Sequence, residues 1–240
     1  MTTDKGTSSS RTVYVLTRTA GRPKFFELCA ESVRNQTYPY VVHVVGVEND
    51  DRETFKYVQG TELRDPEIVT YRPVSAKIAN ENPRFYNRYL DHLHCYVEKL
   101  NPEAWITYLD DDDIFTSEHA IHTLMTTARL VRSEMVIARS RVPGLGKIPK
   151  VLGLRPEANE ISGIGWAFKV EHAPIWKIDR DANYIAAQDV WDSVKLSGGL
   201  HPVAFSPHVV ATLQRGEGAG GYGARDDLGD ASVPDHGGLD

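Results

Sequence analysis

Residues 12–47 read TVYVLTRTAGRPKFFELCAESVRNQTYPYVVHVVGV, and this stretch decides the fold. Thr12 to Thr17 is a β-branched apolar run, the pattern of a buried strand. Pro23 suits the first turn of a helix, where its missing N–H costs nothing. From there to Gln36, Phe26, Cys29, Ala30 and Val33 recur at i, i+3, i+4 and i+7, one apolar helical stripe. Tyr38-Pro39 ends that helix, and Val41 to Val47 is a second apolar run. Strand, helix and strand at this spacing form a βαβ unit with a parallel pair.

The same alternation extends outward. Glu67 to Tyr71 is expected as a third strand. A helix is expected from Pro83 or Arg84 to Lys99, with Tyr86, Leu90, Leu93 and Val97 on one face. Trp105 to Leu109 (WITYL) reads as another buried strand. Ser117 is a suitable cap for a helix burying Ile121, Leu124, Met125 and Ala128, and Met135 to Ala138 is strand-like. Beyond this the pattern loosens. Arg141 to Pro156, rich in Pro and Gly, reads as a loop, and Ile161 to Val170 as a strand or hairpin arm. Gln188 to Leu196 reads as a short helix, and Leu200 to Leu213 as one or two strands. The fold class is therefore α/β with a mainly parallel sheet. One domain is expected over residues 12–215, between a flexible arm at 1–11 and a Gly/Asp-rich tail at 216–240.

Composition narrows the function. The chain has 240 residues, 41% hydrophobic and 25% charged, close to a soluble globular average. Net charge is −6. The tail carries Arg225 against six carboxylates, so the rest is near neutral and lacks the basic excess of a duplex nucleic-acid binder. No apolar run is long enough for a membrane helix. Met1 to Ser10 has no apolar core of a secretory signal. Two cysteines, Cys29 and Cys95, make no disulfide framework and suit a reducing, cytoplasmic setting.

Ligands of open α/β sheets bind beyond the C-terminal ends of the strands. There WITYL runs into Asp110-Asp111-Asp112-Asp113. Four adjacent carboxylates repel one another, and a hard divalent cation relieves that cost. Extended alternation puts Asp110 and Asp112 on one side. An EF-hand is excluded, because its sixth and twelfth positions fall on Phe115 and Ile121. Asp110 to Ile114 nearly matches the Asp-x-Asp motif of haloacid-dehalogenase phosphohydrolases, but that motif normally opens the chain. At the first strand end, Arg18-Thr19-Ala20-Gly21-Arg22 offers two arginines at a helix start, a setting that favours anions. At the second, Glu48-Asn49-Asp50-Asp51 offers acceptors for a ribose or a base. Asp189 opens the late helix, where capping alone could explain it.

Together these segments resemble family 2 glycosyltransferases of the GT-A fold. The resemblance rests on the opening strand, loop and helix, on WITYLDDDDIF as the strand bearing the DXD motif, on RFYNRYLDHL before it, and on Gln188-Asp189. It covers about residues 12–200, and within the family small viral and bacterial rhamnosyltransferase-like domains are most similar. It implies a nucleotide-sugar pocket of Thr17, Arg18, Thr19, Arg22, Glu48, Asn49, Asn87, Asp110 and Asp111. Mn2+ or Mg2+ is implied on Asp112 with Asp113. The implied base is Asp189, and the implied acceptor cleft is near Gly163, Gly165 and Trp166. The implied activity is inverting transfer of a sugar from a nucleotide diphosphate, UDP above all, to a hydroxyl of a glycan or other acceptor. The alternatives are a phosphohydrolase using Asp110 and Asp112, and a domain that binds sugar nucleotides without turnover.

Overall fold

Strand β1, Val13–Arg18, is buried along its whole length, and its two faces feed two separate cores. Val13 and Val15 point to one face of the sheet, Tyr14 and Leu16 to the other. In this computed structural model, which describes residues 10–72, 87–152, 161–172 and 203–213, β1 lies at the heart of a nine-stranded sheet. On one side it pairs in parallel with β2 (Val41–Glu48), and on the other with β4 (Trp105–Tyr108). Strand β3 (Glu67–Tyr71) adds in parallel to β2.

The helices cover both faces. Helix α1 (Pro23–Arg34) buries Phe26, Cys29, Ala30 and Val33, the four positions of the expected stripe. Helix α4 (Ala120–Val131) shares that core through Ile121, Leu124, Met125 and Ala128. Helix α3 (Asn87–Leu100) packs Leu90, Leu93 and Val97 on the opposite face against Tyr14, Leu16 and Ile106. Fully burying one such aliphatic side chain stabilises the fold by roughly 1.5–3 kcal/mol, so the two stripes set which way each helix lies.

The second half departs from strict alternation. Strand β8 (Trp166–Lys169) runs antiparallel to β4 and to β6 (Met135–Val142). The long β9 (Val203–Leu213) lies parallel to β6, and β5 (Asp113–Phe115) is antiparallel to β9 at the edge. The order is β3-β2-β1-β4-β8-β6-β9-β5, with β7 (Gly146–Ile148) attached to β6 as a hairpin.

Several expectations need correction. The segment read as a loop from Arg141 contains this hairpin, whose turn uses Gly144 and Gly146 at φ of 76° and 75°. The short helix α2 (Arg52–Gly60) was not expected, because it buries only Thr54 and Val58. Its signal is Asp51, whose Oδ1 accepts from the Thr54 amide at 3.0 Å. Helix α4 starts after His119 rather than on a Ser117 cap, and the Ser117 hydroxyl accepts from the His119 amide at 3.3 Å. Residues 83–86, the late helix at 188–196, the terminal arm at 1–9 and the tail lie outside the described residues.

Candidate active site

The parallel strands all end on one edge, and there the aspartate run meets the loop after β1. Leu109 closes β4 by donating its amide to the Leu16 carbonyl at 3.1 Å. The chain then turns, with the Asp113 amide donating to the Asp110 carbonyl at 2.9 Å, and enters β5. The four carboxylates are therefore held between a central strand and an edge strand. The Asp113 end is fixed by its ladder position opposite Leu213.

Burial along this turn is uneven. Asp111 is fully buried, Asp112 and Asp113 nearly so, and Asp110 is half-exposed. Asp110, Asp111 and Asp112 each meet a cation or hydroxyl from the end of β1 or the loop that follows it. Arg18 Nε donates to Asp110 Oδ1 at 3.1 Å. Thr19 Oγ1 donates to Asp111 Oδ2 at 2.8 Å. Arg22 grips Asp111 in a two-pronged pair through Nε and Nη2, and reaches Asp112 Oδ2 through Nη1 at 3.0 Å. Tyr57 of α2 supports the loop: its hydroxyl lies 3.1 Å from Thr19 Oγ1 and accepts from the Arg22 amide at 3.3 Å. The N-cap position of α1 is Arg22 itself, which makes no side-chain cap because its guanidinium is turned to the aspartates.

The electrostatics follow from this packing. Burial pushes the Asp111 carboxyl up to about 7; Arg22 opposes that rise, while neighbouring Asp112 and Asp110 add to it. Burial alone would lower Arg22, yet the charges of Asp111, Asp112 and Asp110 outweigh it and hold the guanidinium above its ordinary value. Two arginines face four aspartates, so the cluster keeps an excess of negative charge. Carboxylate oxygens of Asp110, Asp112 and Asp113 lie within 4.8 Å of one another, an all-oxygen donor set that fits a hard divalent cation.

Beneath the site, Thr17 is fully buried and donates Oγ1 to the Leu109 carbonyl at 2.8 Å, tying β1 to the last residue before the aspartates. His43 Nε2 lies 3.0 Å from the same hydroxyl. Since the single hydroxyl proton goes to the carbonyl, His43 must be the donor, with its proton on Nε2. Burial lowers the His43 pKa to about 3, so the ring is neutral.

The sequence-derived site divides accordingly. Arg18, Thr19 and Arg22 reach the site edge, but as partners of the aspartates. Thr17 sits one layer below and faces the core. Glu48 accepts from the Tyr89 hydroxyl at 2.5 Å, and exposed Asn49 donates its amide to the Tyr71 carbonyl at 2.8 Å. Trp166 is corrected: its ring is fully buried, packed on Tyr108 and Phe168, with Nε1 donating to the Gly163 carbonyl at 2.8 Å. A ring so enclosed offers no face to a sugar. Gly165 has φ of 82°, and a Cβ there would collide with Ser140 Oγ, so that glycine is explained by backbone shape and packing. Asp189 and the side chain of Asn87 lie outside the described residues. Sequence reasoning missed Tyr57, Thr54 and His43, which carry no motif.

No protein-family model matches the chain, and no curated protein does. Solved structures do match. S. aureus TarS (residues 1–349) superposes with a TM-score of 0.57 at 10% identity, over 84% of this chain and 60% of that one. Its complex with UDP gives 0.54 at 13% identity, with the same coverage. The mannosyltransferase PcManGT from Pyrobaculum calidifontis, in complex with GDP-Man and Mn2+, gives 0.55 at 12% identity, over 86% of this chain and 58% of that one. The present chain thus spans about 60% of TarS 1–349 and 58% of PcManGT, and 37% of the longer TarS structure. The likeness is one of fold, and the fold is of the GT-A type, a mixed α/β sheet flanked by helices.

Proposed function

We propose that the protein is a metal-dependent inverting glycosyltransferase, of the family 2 kind, acting on a nucleotide-diphosphate sugar with UDP as the favoured nucleotide. One observation carries the reading. The carboxylates of Asp110, Asp112 and Asp113 converge at the C-terminal end of a central parallel strand, beside a loop with two arginines. A sugar nucleotide presents a ribose, a diphosphate and a leaving group that gains charge, and this edge has a counterpart for each.

In this reading Asp112 and Asp113 hold Mn2+ or Mg2+, with Asp110 toward the ribose. A divalent cation bound there offsets the charge that develops on the departing nucleoside diphosphate. Arg18 and Arg22 keep the carboxylates apart and oriented, and Arg18, beside the partly buried Asp110, would contribute to the diphosphate pocket. Asn49 and Glu48, at the end of β2, border the nucleoside side. Asp189 takes the proton of the acceptor hydroxyl as its oxygen attacks the anomeric carbon opposite the leaving group. The bond to the diphosphate breaks in the same displacement, so configuration inverts without a covalent enzyme intermediate. The two thiols suit a cytoplasmic setting; Cys29 is buried and neither is in a disulfide.

The test is thermal melting with UDP, with Mn2+ and with both, on the wild type and on Asp112→Asn. Ligand at about 100 times its dissociation constant adds roughly 2.7 kcal/mol, or about 5–10 °C for a domain this size. The expected result is a shift that requires both ligands and is lost in the variant. A wild type that responds to neither UDP nor GDP in the presence of metal overturns the assignment.

A further inference from the structure

The β6–β7 hairpin projects from the same sheet edge as the aspartates. Strand β8 is antiparallel to both β4 and β6, so β4 and β6 point the same way and end on the same side. The hairpin is chemically unlike the rest of the chain. Between Ala138 and Leu152 it carries Arg139, Arg141, Lys147 and Lys150 and no carboxylate, in a protein of net charge −6.

Its geometry concentrates that charge. Arg141 and Lys147 are directly opposite each other across the ladder, and both are exposed. Like charges in facing positions destabilise a hairpin, so the pair is a cost in the isolated protein. Lys150 is exposed beyond them, while Arg139 is folded back onto the Pro149 and Lys150 carbonyls at 3.1 and 3.0 Å. Among the described residues, Arg141, Lys147 and Lys150 have no ion-pair partner. The tip carries an apolar side chain where water would favour a polar group: Leu145 is 56% exposed between the two left-handed glycines.

We propose that this hairpin docks on an anionic membrane surface, with Leu145 at its tip entering the headgroup layer and the cations Arg141, Lys147 and Lys150 along its arms on lipid phosphates. Cations alone would suit any polyanion. An exposed aliphatic side chain at the tip of a cationic hairpin suits the interface of an anionic bilayer, where both groups find partners. The inference stands on the hairpin alone and does not require the glycosyltransferase reading. If both hold, docking turns the aspartate edge toward the membrane, where a lipid-borne acceptor lies.

The experiment is flotation of the full chain with phosphatidylcholine vesicles, with and without phosphatidylglycerol, at physiological salt. Wild type is expected on the anionic vesicles only. Lys147→Gln/Lys150→Gln should weaken binding about 25-fold, from a contribution near fivefold per cation at the surface. Leu145→Ser should weaken it further, while Lys56→Gln/Lys99→Gln, an equal charge change at exposed sites elsewhere, should not. Circular dichroism and melting confirm that each variant is folded. The proposal is overturned if wild type ignores anionic vesicles or if the control pair weakens binding equally. It is also overturned if Leu145→Ser has no effect while soluble polyphosphate competes fully, which would assign the hairpin to a soluble polyanion.

Discussion

Acidification should expose the buried imidazole under the active site. His43 is fully enclosed, stacked near Phe26 with ring centroids 6.3 Å apart, and donates Nε2–H to Thr17. Its folded pKa is about 3, against 6.5 for the exposed ring. The native state therefore refuses a proton that the unfolded chain accepts, so stability is full above pH 6.5 and falls as pH drops toward 3. At pH 5 the unfolded imidazole is about thirty to one protonated and the native one is neutral, which costs about 2 kcal/mol relative to pH 8. Asp111 works in the opposite direction. Its folded pKa is raised by burial, so its ionisation weakens the fold as pH rises through about 7. The wild-type profile mixes the two, and the comparison with His43→Gln separates them, since Gln keeps an Nε2 donor for Thr17 and does not titrate. Urea melts followed by tryptophan fluorescence at pH 8, 6.5 and 5 give both curves. The expected result is that wild type loses about 2 kcal/mol more than the variant between pH 8 and pH 5, a midpoint difference of about 1 M urea. A gap between the two proteins that stays constant across this range would refute the reasoning, because the ring would then be titrating as it does in water.

Three further outcomes follow from the same geometry. Arg22→Gln strands Asp111 in a buried site without its charge partner and should cost about 3–5 kcal/mol at pH 8, read from urea midpoints, with a smaller loss below pH 6 as Asp111 takes up a proton. Gly46→Ala places a methyl 2.7 Å from Tyr71 Cε1 and 3.0 Å from Leu93 Cδ2, and should lower stability by about 1–3 kcal/mol, as overpacking does. Asp189→Asn should keep the melting shift with UDP and Mn2+ while release of UDP from its sugar donor to an acceptor falls by about 10²–10⁴-fold; an unchanged turnover would remove Asp189 from the reaction.

The first half of the fold was legible because its signals are local. The Phe26, Cys29, Ala30, Val33 stripe and the apolar runs of β1, β2 and β4 state their own partners through period and length. What escaped lacked such a period. Helix α2 is held by a cap and two buried side chains, and β5 is three residues long with a carboxylate at its start. The hairpin at β7 was hidden by glycines that serve its turn. The aspartate run was visible as a place for chemistry, but its pairing was not. Arg22 and Asp111 are 89 positions apart, so only the folded sheet shows that the cations expected to face a nucleotide already hold carboxylates. Trp166 misled for a related reason. A tryptophan beside glycines looks the same in sequence whether it lines a cleft or fills a core.

The antiparallel pairing of Asp113 with Leu213 has a consequence for how the protein comes into being. The strand that anchors the end of the aspartate turn is the last among the described residues, and non-local pairs of this kind form late because loop closure precedes their reward. During synthesis, β1 to β4 have left the ribosome long before β9 exists. The nascent chain thus carries four aspartates on a turn secured at one end, and the acidic site is set only when the final strand closes beside it. A message truncated before residue 203 would yield a chain with every carboxylate of the run and no strand to fix them, so the damage would fall on the site before it reached the parallel core.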